Sequence, residues 1–192
     1  MTHNRREIEA KARTLLAKCK ITRAPVPVEE IAQNLGARLS YSPLDSELSG
    51  MVFIRDGDPI IGVNASHSRN RQRFTVAHEI AHLVLHRQQI TDAVHVDKRF
   101  SESFAPLNRD ARSSLGTKQI EIEANQFAAA LLMPRDLLQP ALANLDLDIE
   151  DEEALQQLAR QFKVSTAALQ YRIRSLSTEP EKKAKPRTVQ RV

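Results

Sequence analysis

Tryptophan is absent from this sequence, cysteine occurs once, glycine five times, and aromatic residues of all kinds make up 4% of 192 residues. Each scarcity excludes something. A lone Cys19 cannot close an internal disulfide, and set among Leu15, Leu16 and Ile21 in a helical pattern it reads as a buried, inert thiol. With so few aromatics the core must be aliphatic and alanine-rich, and with so little glycine a mainly helical chain is expected. No apolar run approaches the length of a bilayer span, and no apolar segment follows Met1, so a soluble, cytoplasmic protein is expected.

What is present is ordinary in bulk: 41% hydrophobic and 27% charged residues, enough for one core with at most a small appendage. The net charge of +4 is not the balance of a dedicated nucleic-acid binder. Much of the excess lies in Lys182, Lys183, Lys185, Arg187 and Arg191 after Pro180, so residues 178–192 read as a disordered basic tail.

Periodicity divides the rest. Ile8, Ala12, Leu15, Leu16 and Cys19 predict an amphipathic helix over 4–20, and a second short helix over 28–35 ends at Gly36. The period then changes: 37–41, 50–55 and 59–63 read as strands of a small antiparallel sheet, the last two joined at Asp56-Gly57. A helix capped by Ser66 or Ser68 runs to about His86, and 88–117 reads as a long loop with room for a short helix inside it. Helices follow over 118–132, stopped by Pro134, and over 150–162 and 166–176. The expected fold is α+β and mainly helical, with residues 1–145 as one unit, 146–177 as a helix-turn-helix-like pair, and the tail.

One stretch carries chemistry. FTVAHEIAHLVLH places His78 and His82 four apart, on one helical face, with Glu79 rotated about 100° from His78. H-E-x-x-H helices bind zinc through the two imidazoles, and the glutamate beside them serves as base to an activated water. Shuffling this composition yields the motif about once in 90 sequences, so a third ligand must decide. Leu85 and Gln88 stand where a metzincin would have glycine and histidine. His86 continues the same face, where three ligands would be nearly collinear; it lines the cleft, closes a hydrogen bond or is structural. The helix over 118–132 offers Glu121 and Glu123. Glu121 shares a face with Asn125, which can orient an imidazole, and Ala124 and Ala128 allow close approach; Glu121 is the chosen ligand and Glu123 the reserve.

RQRFTVAHEIAHLVLH followed by EIEANQFAAALLMP, with PVEEIAQNLG upstream, resembles the ImmA/IrrE-type zinc metallopeptidases. Ala81 stands where that family frequently has glycine. The resemblance implies a zincin-like fold, Zn2+ held by His78, His82 and Glu121, and Glu79 as catalytic base. It also implies a protein substrate, since several members are antirepressors that cleave a helix-turn-helix transcriptional repressor and induce mobile-element, prophage or stress genes. His86, His95, Tyr41 and Arg73 are candidates to stabilise the oxyanion of peptide hydrolysis.

Two other functions compete. ALQQLARQFKVSTAALQYRIRSL could read DNA through Arg172 and Arg174, though Ala167, Ala168 and Gln170 are weak base-readers. A helix pair completing the peptidase fold or docking a repressor suits these residues better. A purely structural zinc would normally close its fourth position, often with cysteine, and would leave Glu79 without a purpose.

Overall fold

The computed structural model describes residues 3–45, 47–91, 95–98, 112–143 and 152–177. The chain opens with α1 (Arg5–Lys18), whose N-terminus is a capping box: the Asn4 side chain accepts from the Glu7 amide and the Glu7 carboxylate from the Asn4 amide. Ile8, Ala12, Leu15 and Leu16 give it one buried stripe. Cys19, at its end, is half-buried. The next helix, α2 (Val28–Asn34), stops where Gly36 turns into the left-handed region at φ 79°.

Among the described residues four strands follow, β1 (Arg38–Ser42), β2 (Leu48–Arg55), β3 (Asp58–Asn64) and β4 (His95–Lys98), in the spatial order β1-β3-β2-β4. The β2–β3 hairpin closes at Asp56-Gly57, both at positive φ, as its dipeptide predicts. The sheet is mixed, not antiparallel, because β1 pairs in parallel with β3 and not with its chain neighbour β2. Asn64 explains how. Its buried side chain donates to the carbonyls of Leu44, Asp45 and Leu48 and accepts from the amides of Leu44 and Ser66, pinning the β1–β2 connection over the end of β3. The far edge of β2 is taken by β4, a strand inside the stretch read as loop.

Among the described residues the other elements are helices: α3 (Arg69–Leu85), α4 (Arg87–Thr91), α5 (Arg112–Leu132), α6 (Arg135–Ala143), α7 (Glu152–Phe162) and α8 (Thr166–Ser177). Ser68 occupies the cap position of α3 without a side-chain bond; Gln72 instead donates to the carbonyls of Ala65 and His67. α5 begins six residues before the expected start, so the loop is shorter than 88–117 suggests. Gly116 within it costs only about 1 kcal/mol relative to alanine, which a long, packed helix absorbs. α6 was not foreseen beyond Pro134. The tail at 178–192, the join at 144–151 and most of the expected loop (92–94 and 99–111) lie outside the described residues. Among the described residues no helix is long and apolar enough to cross a membrane.

The α7–α8 pair turns at Lys163 (φ 52°), and the Ser165 hydroxyl caps α8 by accepting the Ala168 amide. Arg172 does not face a groove. It is 2% exposed, donates from Nε to the Met133 carbonyl at 3.0 Å, and pairs through both terminal nitrogens with Glu9 of α1. The alternative DNA-reading face therefore keeps Arg174 but loses Arg172, whose charge fastens α8 to α1 and the end of α5. Asn70 of α3 adds a bond to the Val164 carbonyl. Removing the carboxylate strands a buried guanidinium, so Glu9→Ala should lower unfolding free energy by about 3 kcal/mol, whereas Arg172→Met, which removes the charge itself, should cost clearly less. Urea midpoints at unchanged slope would measure both.

Candidate metal centre

The helix α3 lies between the sheet and α5, touching β2, β3 and α2 as well. This explains its residues. Val76, Ala77, Ile80, Ala81 and Leu83 are buried, as are His78, Glu79 and His82, so the helix is buried around most of its circumference instead of along one stripe. Against it α5 presents Ala124 and Ala128, both fully buried, and these small side chains allow close approach.

Where the two helices cross, three side chains converge. His78 Nε2 lies 3.0 Å from His82 Nε2, and Glu121 brings Oε2 to 3.1 Å from the first and Oε1 to 3.6 Å from the second. One ligand atom from each falls within 4.8 Å of the others. A tetrahedral ion with zinc–nitrogen bonds of about 2.0–2.1 Å spaces its ligand atoms about 3.3 Å apart, so the triangle is of the right size for zinc. The donor set, two imidazoles and a carboxylate, is also one that catalytic zinc uses. Both histidines are at most 1% exposed and Glu121 is 27% exposed, so the cluster opens toward solvent on the α5 side.

Behind the cluster lies a second layer. His78 Nδ1 is 3.0 Å from Asn125 Oδ1, the neighbour expected on the Glu121 face. His86 Nδ1 is 3.3 Å from His82 Nδ1, and His86 Nε2 is 3.1 Å from Glu123 Oε2. Of the three sequence readings for His86, the geometry selects the hydrogen bond. Glu123, the reserve ligand, points away from the triangle and receives bonds from Gln119 Nε2 and the His3 amide as well. Burial pushes the His86 imidazole below its ordinary pKa, with Glu123 offsetting part of the effect. Burial alone would raise Glu123, but its bonds from Gln119, His86 and His3 outweigh that and hold it below the usual carboxylate value.

Glu79 is fully buried on the side of α3 facing β2. There the strand must be glycine. A Cβ on Gly50 would strike Thr75 Cγ2, sit 2.8 Å from the Gly62 carbonyl oxygen and come within 3.3 Å of Glu79 Oε1. Gly50→Ala should therefore destabilise the fold by about 1–3 kcal/mol through overpacking, and also shift Glu79. A denaturant midpoint equal to wild type would show that the strand can yield. Glycine inside a β-rich run is the sequence sign of such close approach, but the run alone does not name the helix that approaches.

The oxyanion candidates scatter. Arg73 donates to the Val26 carbonyl at 2.8 Å and faces Glu29 at 3.6 Å, so it ties α3 to α2. His86 is held by Glu123. Tyr41 sits on the edge strand β1 and His95 on the opposite edge, β4. A concavity of about 680 Å³ lies elsewhere, between α1 and α6, and contains none of the converging residues. Donor chemistry, not hollow volume, marks the site.

An H-E-x-x-H helix under a small sheet, crossed by a glutamate helix, is the arrangement of a metallopeptidase. The chain belongs to the family of the IrrE N-terminal-like domain, a peptidase family whose model matches residues 32–174. It is 29% identical over 171 residues to the radiation response metalloprotease IrrE of Deinococcus deserti, across 82% of this chain and 56% of that protein. The chain thus spans a little over half the length of that relative. A Mycobacterium tuberculosis transcriptional regulator has a similar fold, with a TM-score of 0.59 at 17% identity over 88% of this chain and 46% of the other.

Proposed function

We propose that this protein is a zinc-dependent endopeptidase in which His78, His82 and Glu121 hold the metal and Glu79 is the general base and acid. The observation that carries the reading is the convergence of three donor atoms from two helices, beside a fully buried glutamate one residue from the first ligand. Zinc, when bound, supplies Lewis acidity, polarising a carbonyl and making water acidic near neutral pH. Glu79 takes the proton from the attacking water as its oxygen bonds to the scissile carbonyl carbon. It then delivers that proton to the departing amine as the C–N bond breaks. Asn125 orients His78, and the alanines of α5 keep the two helices at the separation this requires.

For substrate, the reading is a transcriptional repressor of the helix-turn-helix class, cleaved in the cytoplasm to release genes of a mobile element, prophage or stress response. The family resemblance supports this, as does the radiation response in the name of the Deinococcus relative. Residues 1–145 would form the peptidase unit. The pair within 146–177 would complete it, or dock the repressor, in preference to reading DNA, since Arg172 is committed to Glu9.

The test exposes a lysate of cells carrying the gene to the zinc-loaded protein, and labels new protein N-termini for mass spectrometry. A single new terminus in a helix-turn-helix protein, absent with Glu79→Gln, is the expected result. New termini in proteins of other kinds would keep the peptidase and refute the substrate.

A further inference from the structure

We infer that His86 and Glu123 form a relay that fixes the His82 ring in the one tautomer able to bind metal through Nε2, which makes both of them positioning residues of the metal centre. The inference rests on the reading of His78, His82 and Glu121 as ligands.

A neutral imidazole offers a lone pair only on the nitrogen that carries no hydrogen. His82 turns Nε2 toward His78 and Glu121, so ligation there requires its hydrogen on Nδ1. That nitrogen faces His86 Nδ1 at 3.3 Å, and the two share one hydrogen between them. If His82 donates it, His86 Nδ1 must accept, and the His86 hydrogen must then sit on Nε2. There Glu123 Oε2 waits at 3.1 Å. The chain ends in the carboxylate, whose other oxygen accepts from the His3 amide at 3.1 Å and from Gln119 Nε2 at 3.0 Å. Every link is a donor facing an acceptor, and the reverse assignment would place a hydrogen on His82 Nε2, where the metal belongs.

Burial makes the relay obligatory. His82 is 0%, His86 2% and Glu123 1% exposed, so bulk water cannot stand in for a missing partner. The two ligand histidines are held differently: His78 by the neutral amide of Asn125, His82 through a second imidazole by a carboxylate. A carboxylate at the end of such a chain raises the basicity of the ligand nitrogen. The sequence spacing follows from this. His86 follows His82 by four residues and caps the C-terminus of α3, and Glu123 stands two residues past Glu121, turned away from the triangle and toward His86.

The experiment measures zinc affinity by chelator competition, and the His82 tautomer by nitrogen NMR of the zinc-free chain, in wild type, Glu123→Gln and His86→Phe/Glu123→Leu. The double change removes the buried charge together with its partner, and melting curves check the fold. Both variants should still take up one zinc at saturation, about 10–100-fold more weakly than wild type. In the zinc-free variants His82 should lose its preference for hydrogen on Nδ1. Affinity within about twofold of wild type, or an unchanged tautomer, would overturn the relay while leaving the ligand set intact. A wild-type chain without zinc affinity would overturn both.

Discussion

Glu79→Gln is expected to lower peptide cleavage by about 10²–10⁴-fold while zinc content and melting temperature stay at wild-type values. The side chain is fully buried against β2, so a replacement of the same shape keeps its packing. What is lost is the ability to hold a proton. A carboxamide can orient a water by hydrogen bonding but cannot take its proton or pass it to the leaving amine, so both halves of hydrolysis suffer. The separation from metal binding is the informative part: Glu79 is rotated away from the face shared by His78 and His82, and it is not among the three converging donors. Cleavage of the identified substrate, followed by mass spectrometry beside zinc analysis, reads both quantities on one sample. Wild-type turnover in the variant would sink the proposed mechanism. Gly50→Ala is the useful contrast, since it should reduce stability and activity together.

Much of the candidate site is legible in the sequence because it is local. His78, Glu79 and His82 share one helix, where spacing in sequence is spacing in space. Glu121 could be chosen over Glu123 because Asn125 marks its face of α5. The hairpin at Asp56-Gly57 was equally plain, since its dipeptide names the turn. What escaped was set by distant partners. The position of β1 depends on the buried side chain of Asn64, an ordinary turn residue by composition. Four residues, His95–Lys98, become a strand because β2 has a free edge to pair with, not because their own period declares it. Arg172 looked like a surface cation because Glu9, which draws it inward, is 163 residues away. Glu123 reads as a spare ligand in the sequence because its hydrogen-bond partner His86 is 37 residues away.

The second large effect is on the metal itself. Glu121→Ala should reduce zinc from about one per chain to a small fraction of that, because two imidazoles alone leave the ion short of the three protein ligands a catalytic site supplies. Glu121 is also the least buried member of the set, so its removal disturbs less packing than loss of either histidine and the apo fold should survive. That permits a cleaner readout than activity. A ligand that binds only the folded state stabilises it by about 2.7 kcal/mol at a hundred times its dissociation constant, so wild type should melt higher with zinc than with chelator. In Glu121→Ala the two melting curves should coincide. Glu123→Gln should keep the wild-type difference in sign but at reduced size, because an affinity about 10–100-fold weaker subtracts about 1.4–2.7 kcal/mol at the same zinc concentration while no donor is removed. If the two glutamates behaved alike, either both losing the zinc-dependent shift or both keeping it whole, the assignment of Glu121 to the metal and Glu123 to His86 would be wrong. Coincident curves in wild type as well would mean that the triangle of donors holds no zinc under these conditions, and the peptidase reading would fall with it.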